Sequence, residues 1–271
     1  MERKDRLAKN GLNINDKVYS LHIKTPAEAH GVDLLFVCTK YTQLRDSLPD
    51  IETITDKHTM VVSLLNGVDS EELIGQRIGM EHMIYSLIRI ASHRIENSIH
   101  FSLPKGYNGI YIGIPNQPAC QDPRLAAIAE IFADTPVTLH LSDDILLDMW
   151  DKFGLNVSRN LPQAILGVGI GVYDDSIYAD AIMRKMRHEV VLVANAKGIP
   201  LTDEFKAAKW LPSQRYSTLQ DLDAHRHTEI DMFSGALIRM GKEVGVECPY
   251  NEMTYNLIKA LEEKNDGKFD Y

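Results

Sequence analysis

Apolar positions are arranged in two different ways along this chain. Up to about residue 142 they form short runs rich in strand formers. Val32–Thr39 is one such run; Thr59–Leu65 is another and ends at Asn66-Gly67. Unbroken apolar runs of this length suit strands buried on both faces of a parallel sheet. Between them, Gln43–Leu48 has helical spacing with polar outer positions. The stretch therefore predicts a strand–helix–strand unit, which is right-handed in nearly all cases. Met83–Ile90 predicts a third strand. Ile99–Ser102 and Gly109–Gly113 predict an antiparallel pair turned at Pro104-Lys105-Gly106. A helix over Asp122–Ala133 and a strand over Val137–Leu141 follow.

From Asp143 the apolar positions recur at helical spacing. The pattern predicts helices over Ile145–Leu161, Ser176–Lys197, Thr202–Trp210, Thr218–Asp223, Thr228–Val244 and Asn251–Lys264. The second of these is stopped by Gly198-Ile199-Pro200, a glycine after the helix and then a proline. Strands first and helices afterwards predict an α/β domain at 1–142 and an all-α domain at 143–271. No internal repeat or low-complexity stretch is seen.

Composition narrows the function classes. The chain has 271 residues and a formal net charge of −9, with no basic cluster. That argues against nucleic acid or an anionic membrane as partner. Three scattered cysteines, Cys38, Cys120 and Cys248, form no Cys-x-x-Cys. They read as free thiols of a reducing cytoplasm. No apolar run reaches the ~18 residues of a membrane span. Met1–Arg6 is charged and does not read as a secretion signal.

Three places could carry chemistry. Ligands of open parallel sheets bind beyond the carboxyl ends of the strands. Lys40 follows the first apolar run and Asn66 the second. Taken alone, the first reads as a solvated loop lysine and the second as part of a turn. Lys152, Asn156 and Asn160 are spaced i, i+4, i+8 and so share one helix face. A lysine suits proton donation, and two amides suit a carboxylate or hydroxyl. The same stripe could simply face water. The third place is Ser217–Asp221 with His225–Asp231. His225 and His227 lack a third ligand at useful spacing, so no metal site is expected. Thr228 could cap a helix, with Glu229 in its first turn.

Taken in order, these pieces resemble the ketopantoate reductase family. The resemblance rests on the strand ending in Val-Cys-Thr-Lys at Lys40 and on Asn66-Gly67. It rests further on Trp150-x-Lys-x-x-x-Asn-x-x-x-Asn160 and on Ser217-x-Leu-Gln-Asp. The remaining pieces are His227-Thr-Glu-Ile-Asp231 with Gly235, and Gly245-Val-Glu-Cys-Pro249. It spans essentially the whole chain. It implies a Rossmann-like first domain that binds NADPH and a helical second domain that holds a 2-keto acid. It implies reduction of 2-dehydropantoate to pantoate, or of a similar 2-keto acid. It also implies a cytoplasmic enzyme and admits a homodimer. Lys152 then matches the catalytic lysine that protonates the developing alkoxide. Asn156, Asn160 and Ser217 match substrate-binding residues. Asn66 matches an asparagine near both nicotinamide and substrate. Lys40 and Glu229 match cofactor-binding positions.

The sequence departs from the family at two places. The family opens with a strand, a Gly-x-Gly-x-x-Gly loop and a helix, and no such loop precedes Lys40. Arg3–Leu12 resembles the region after the family's second strand, so the first domain is expected to be incomplete at its start. Arg3 and Arg6 are the candidates for the 2′-phosphate. The family also follows its last asparagine with Pro-Leu-Thr-Ala, where this chain has Leu161-Pro162-Gln163-Ala164, and Arg159 is an unusual neighbour. These departures leave open a different 2-keto acid. The absent loop is read as a truncated start of an enzyme-type sequence, with the alternative of a non-catalytic relative that binds a metabolite or dimerises and has lost its cofactor loop.

Overall fold

The computed structural model describes residues 3–90, 92–95, 98–102, 106–205, 211–269 and 271. The chain divides into two compact units, Met1–Ile145 and Leu146–Tyr271. The first unit opens with helix α1 (Arg3–Asn10) and the short strands β1 (Leu12–Ile14) and β2 (Lys17–Tyr19). There follow β3 (Leu34–Val37), α2 (Tyr41–Ile54), β4 (Met60–Ser63), α3 (Ser70–Ile78) and β5 (Met83–Arg89). β6 (Ser92–Ile95), β7 (Ser98–Phe101), β8 (Gly109–Gly113), α4 (Pro123–Phe132) and β9 (Leu139–Leu141) complete it.

The main sheet has the order β3-β4-β5-β8-β9. β3, β4 and β5 are parallel, and β8 runs antiparallel to β5. Strand alternation sends successive side chains to opposite faces. Leu35, Val37, Val61 and Met83 therefore pack with Leu44 and Ile51 of α2 and Ile74 of α3. Leu34, Phe36, Val62 and Ile84 pack on the other face with Leu125 and Ile128 of α4. Both faces are covered, which is why these strands read as continuous apolar runs. Among the described strands β3 pairs only with β4, so it forms the sheet edge.

One expected pairing is wrong. β7 does not pair with β8. It pairs with β6 as a local hairpin and, on its other side, with β1 in a second sheet of order β2-β1-β7-β6. A hairpin closed over a few residues costs less chain entropy than a longer connection. β8 instead lies between β5 and β9, where Ile110 and Ile112 are buried. Residues 103–105 of the expected turn lie outside the described residues. Helices α1 and α3 and strands β1 and β2 are further elements that the apolar pattern does not predict.

The second unit is helical. α5 (Ile145–Leu155) runs into a π-helical segment at Asn156–Asn160 and then α6 (Leu161–Leu166). α7 (Val172–Asp175), α8 (Ile177–Ala196), α9 (Ser217–Asp223), α10 (Ser234–Val244) and α11 (Pro249–Asn265) follow. Ser176 caps α8 by accepting a hydrogen bond from the Ala179 N–H, and Gly198 past its end has φ +82°. The helix expected to start at Thr228 starts at Ser234 instead, with residues 230–233 in turns. Thr228 is therefore not its cap: its N–H and hydroxyl both donate to Glu262. Thr202–Phe205 is not helical, and the rest of that expected helix lies outside the described residues.

α8 carries Arg187, which is only 1% exposed. Its guanidinium donates to the carbonyls of Thr202 (2.9 Å) and Asp151 (3.4 Å) and pairs with the Asp151 carboxylate (3.4 Å). Burial lowers its basicity, and Asp151 works against that. Gly154 makes room for this group: a Cβ there would sit 2.1 Å from Arg187 Nη1. We therefore expect Gly154→Ala to destabilise the protein by about 1–3 kcal/mol, the usual cost of overpacking. A lowered urea midpoint with unchanged slope would show it.

Candidate active site

In the first unit, the carboxyl ends of β3 and β4 lie side by side, with Val37 in register with Ser63. Lys40 follows β3 and occupies the N-cap of α2. It is exposed. A cation at this point stands beside the positive end of a fourteen-residue helix, so an anion finds both in one place. β4 leads into the turn 64–69. Gly67 has φ +95° there, a conformation that favours glycine. Asn66, half-buried, is carried on this turn. The turn is fastened to α2 by Tyr41, whose hydroxyl donates to Asp69 (2.6 Å).

In the second unit, Lys152, Asn156 and Asn160 lie along the run from α5 to α6. Pro162 explains the π segment between those helices. It has no N–H to offer the Ser158 carbonyl, and its ring crowds that oxygen. A wider turn relieves both problems. The Tyr173 hydroxyl supplies a donor to the neighbouring Arg159 carbonyl. The segment also aligns the stripe. Four residues overshoot an α turn and fall short of a π turn, so the drift from Lys152 to Asn156 is taken back by Asn160. Lys152 and Asn156 are half-buried, and Asn160 is 2% exposed.

Asn160 and Ser217 are brought together. The Asn160 amide donates to Ser217 Oγ (3.2 Å) and accepts from the Thr218 N–H (3.2 Å). Ser217 opens α9 and is exposed. Gln163, which the sequence reading noted only as a departure, is fully buried. It donates to the Gln214 carbonyl (2.8 Å) and accepts from the Tyr216 N–H (2.9 Å). It therefore fixes the segment that delivers Ser217. The only sequence signal was its place one turn after Asn160. Arg159 is also buried and lies over the Phe205 ring at 4.4 Å, with Arg187 at 5.1 Å from the same ring.

Glu229 sits in the turn before α10, half-buried. α11 holds that turn from both sides. Glu262 accepts from the Thr228 N–H (2.7 Å) and hydroxyl (2.6 Å). Asp231 accepts from Tyr255 (2.7 Å) and Lys259 (3.0 Å). Burial alone would raise the Asp231 carboxyl, but these two bonds outweigh it and hold it below its usual range. Lys40 and Asn66 belong to the first unit, and the five other candidates to the second. Among the described residues no cluster of metal-ligating side chains occurs, and no helix is long and apolar enough to cross a membrane.

Comparison with known proteins decides the family. Residues 1–117 match the family described as ketopantoate reductase PanE/ApbA, and residues 144–262 match its C-terminal counterpart. The chain belongs to the ketopantoate reductase family. This family comprises nicotinamide-dependent reductases. A 2-dehydropantoate 2-reductase of Streptococcus pyogenes serotype M3 is 29% identical over 272 residues, covering 94% of this chain and 86% of the relative. Among solved structures, a ketopantoate reductase from Ralstonia eutropha JMP134 has a TM-score of 0.80 at 23% identity, covering 97% of this chain and 88% of that one. D-mandelate dehydrogenase with NADH and anilino(oxo)acetate has a TM-score of 0.82 at 25% identity, with the same coverage. The fold of this ketopantoate reductase family member is thus α/β in its first part and helical in its second.

The Asn160 bonds can be tested apart from activity. Asn160→Ala leaves the Thr218 N–H without its acceptor in a buried place. We expect a loss of about 1–3 kcal/mol in stability, read by urea unfolding.

Proposed function

We propose that this chain reduces 2-dehydropantoate, or a closely related 2-keto acid, to the 2-hydroxy acid, with NADPH as reductant. The observation that carries the reading is the stripe of Lys152, Asn156 and Asn160 with Ser217 bonded to its end. A cation and several amide and hydroxyl groups in one row suit a ketone flanked by a carboxylate. In this reading Lys152 gives a proton to the ketone oxygen as charge grows on it, which favours the transition state over the ground state. Asn156, Asn160 and Ser217 hold the carboxylate and hydroxyl groups of the substrate, so the carbonyl is turned one way.

The residues of the first unit fit the nicotinamide side of a dinucleotide. Lys40 at a helix N-terminus suits a phosphate, and Asn66 beside the strand ends suits an amide or ribose. Glu229 is assigned to a ribose hydroxyl. The bound cofactor supplies the hydride; the protein supplies orientation and the proton.

A second substrate class is supported by one observation. The likeness to D-mandelate dehydrogenase, whose structure holds NADH and anilino(oxo)acetate, favours a 2-keto acid with an aromatic group. Assays with ketopantoate and with phenylglyoxylate, each with NADPH and with NADH, separate the two. We expect Lys152→Ala to lower kcat by about 10²–10⁴-fold while the cofactor Kd stays the same. Unchanged turnover would remove Lys152 from its role. A folded wild type that oxidises neither cofactor with any keto acid would overturn the reductase reading in favour of a metabolite-binding relative.

A further inference from the structure

Glu71 lies in the first turn of α3 and is 1% exposed. Among the described residues no cation is bonded to it. Ser70 Oγ donates to its Oε2 (2.9 Å). Ser70 Oγ in turn meets Ser63 Oγ at 2.8 Å. Since Ser70 gives its only hydroxyl proton to Glu71, Ser63 must be the donor to Ser70. The Ser86 hydroxyl of β5 donates to the Ser63 carbonyl. The backbone N–H groups of Glu71 and Ser86 are turned towards the carboxyl. Among the described residues neither closes a hydrogen bond to Oε1.

The geometry has one meaning for the turn 64–69. Ser63 is the last residue before it, and Ser70 the first after it. The relay from Ser63 through Ser70 to Glu71 therefore joins the two ends of the turn that carries Asn66. We propose that Glu71 is a positioning residue for Asn66, holding the turn 64–69 closed through Ser70 and Ser63. This rests on the cofactor-side role given to Asn66 above.

The position should respond to pH. Burial raises the Glu71 carboxyl from its ordinary value of 4.5 to about 7, and the hydrogen bond from Ser70 only partly opposes it. The carboxylate of Asp69 adds to the rise. Asp69 bears on it from the end of the turn, Glu72 follows it in the chain, and Tyr85 faces it from β5. Among these described groups none is a cation that would hold the charged form. Because the folded value lies above the unfolded one, the stability due to Glu71 is full below about 4.5 and is lost as pH rises through about 7. Above that, a buried charge faces Asp69 and the turn loosens.

The test compares wild type, Glu71→Gln and Ser63→Ala by hydrogen exchange of the 64–69 amides at pH 6 and pH 8, corrected for intrinsic exchange. NADPH and NADH titrations run beside it. Glutamine copies the neutral carboxyl in shape, so that variant should fold. We expect wild-type protection of the turn to fall several-fold from pH 6 to pH 8, and Glu71→Gln to show no such fall. Ser63→Ala should be poorly protected at both pH values. If the cofactor binds, its Kd should weaken in step with the loss of protection. Equal pH dependence in wild type and Glu71→Gln, or none in either, would overturn the proposal. Failure of wild type to bind either cofactor would overturn the functional reading of Asn66 instead, and the exchange comparison would still decide whether Glu71 holds the turn.

Discussion

A proline cannot donate a backbone hydrogen bond, and much of the helical unit is arranged around that fact at Pro162. The chain does not break there. It widens into a π segment over Asn156–Asn160 and returns to α geometry at Leu161. Tyr173 serves a carbonyl of the widened turn. Gln163, one residue past the proline, anchors the strand of chain that leads to Ser217. The two amides and the serine are in place because the helix accommodates the proline instead of ending at it.

The first unit solves a different problem with the same economy of parts. Its parallel strands are closed off by helices on both faces, so polar side chains gather where the strands end. Lys40 stands at the N-cap position of one helix there, and Asn66 rides on the next connection. Behind that connection the fold keeps a carboxyl group away from water, with hydroxyls and, among the described residues, no cation for company. Buried ionisable groups of this kind are rare unless they are paired.

Much of this was legible in the sequence. The strands β3, β4 and β5 announced themselves as apolar runs, and α8 by its serine start and glycine stop. Lys152, Asn156 and Asn160 were visible through i, i+4 spacing alone. The π segment was not, since periodicity assumes one pitch throughout. Pro162 was the clue, and it reads equally well as a helix end. β7 was given the wrong partner because pairing is decided by loop closure and by which strand offers the longer edge. α3 is short, and its Ser-Glu-Glu start looks like ordinary compensation of a helix dipole. Nothing in that pattern sets Glu71 apart as a buried acid. Thr228 looked like a cap because its partner, Glu262, lies 34 residues further on.

The closed turn at Asn66 also bears on how the molecule ages. An asparagine followed by glycine is the pair most open to deamidation, since glycine has no side chain to shield its nitrogen from the neighbouring amide carbon. Ring closure between the two needs the backbone to swing. Here both ends of the turn are tied, Ser63 to Ser70 across its mouth and Tyr41 to Asp69 at its side. A tie on that swing slows the ring closure, so the bonds that fix the turn also bear on how long Asn66 lasts as an amide.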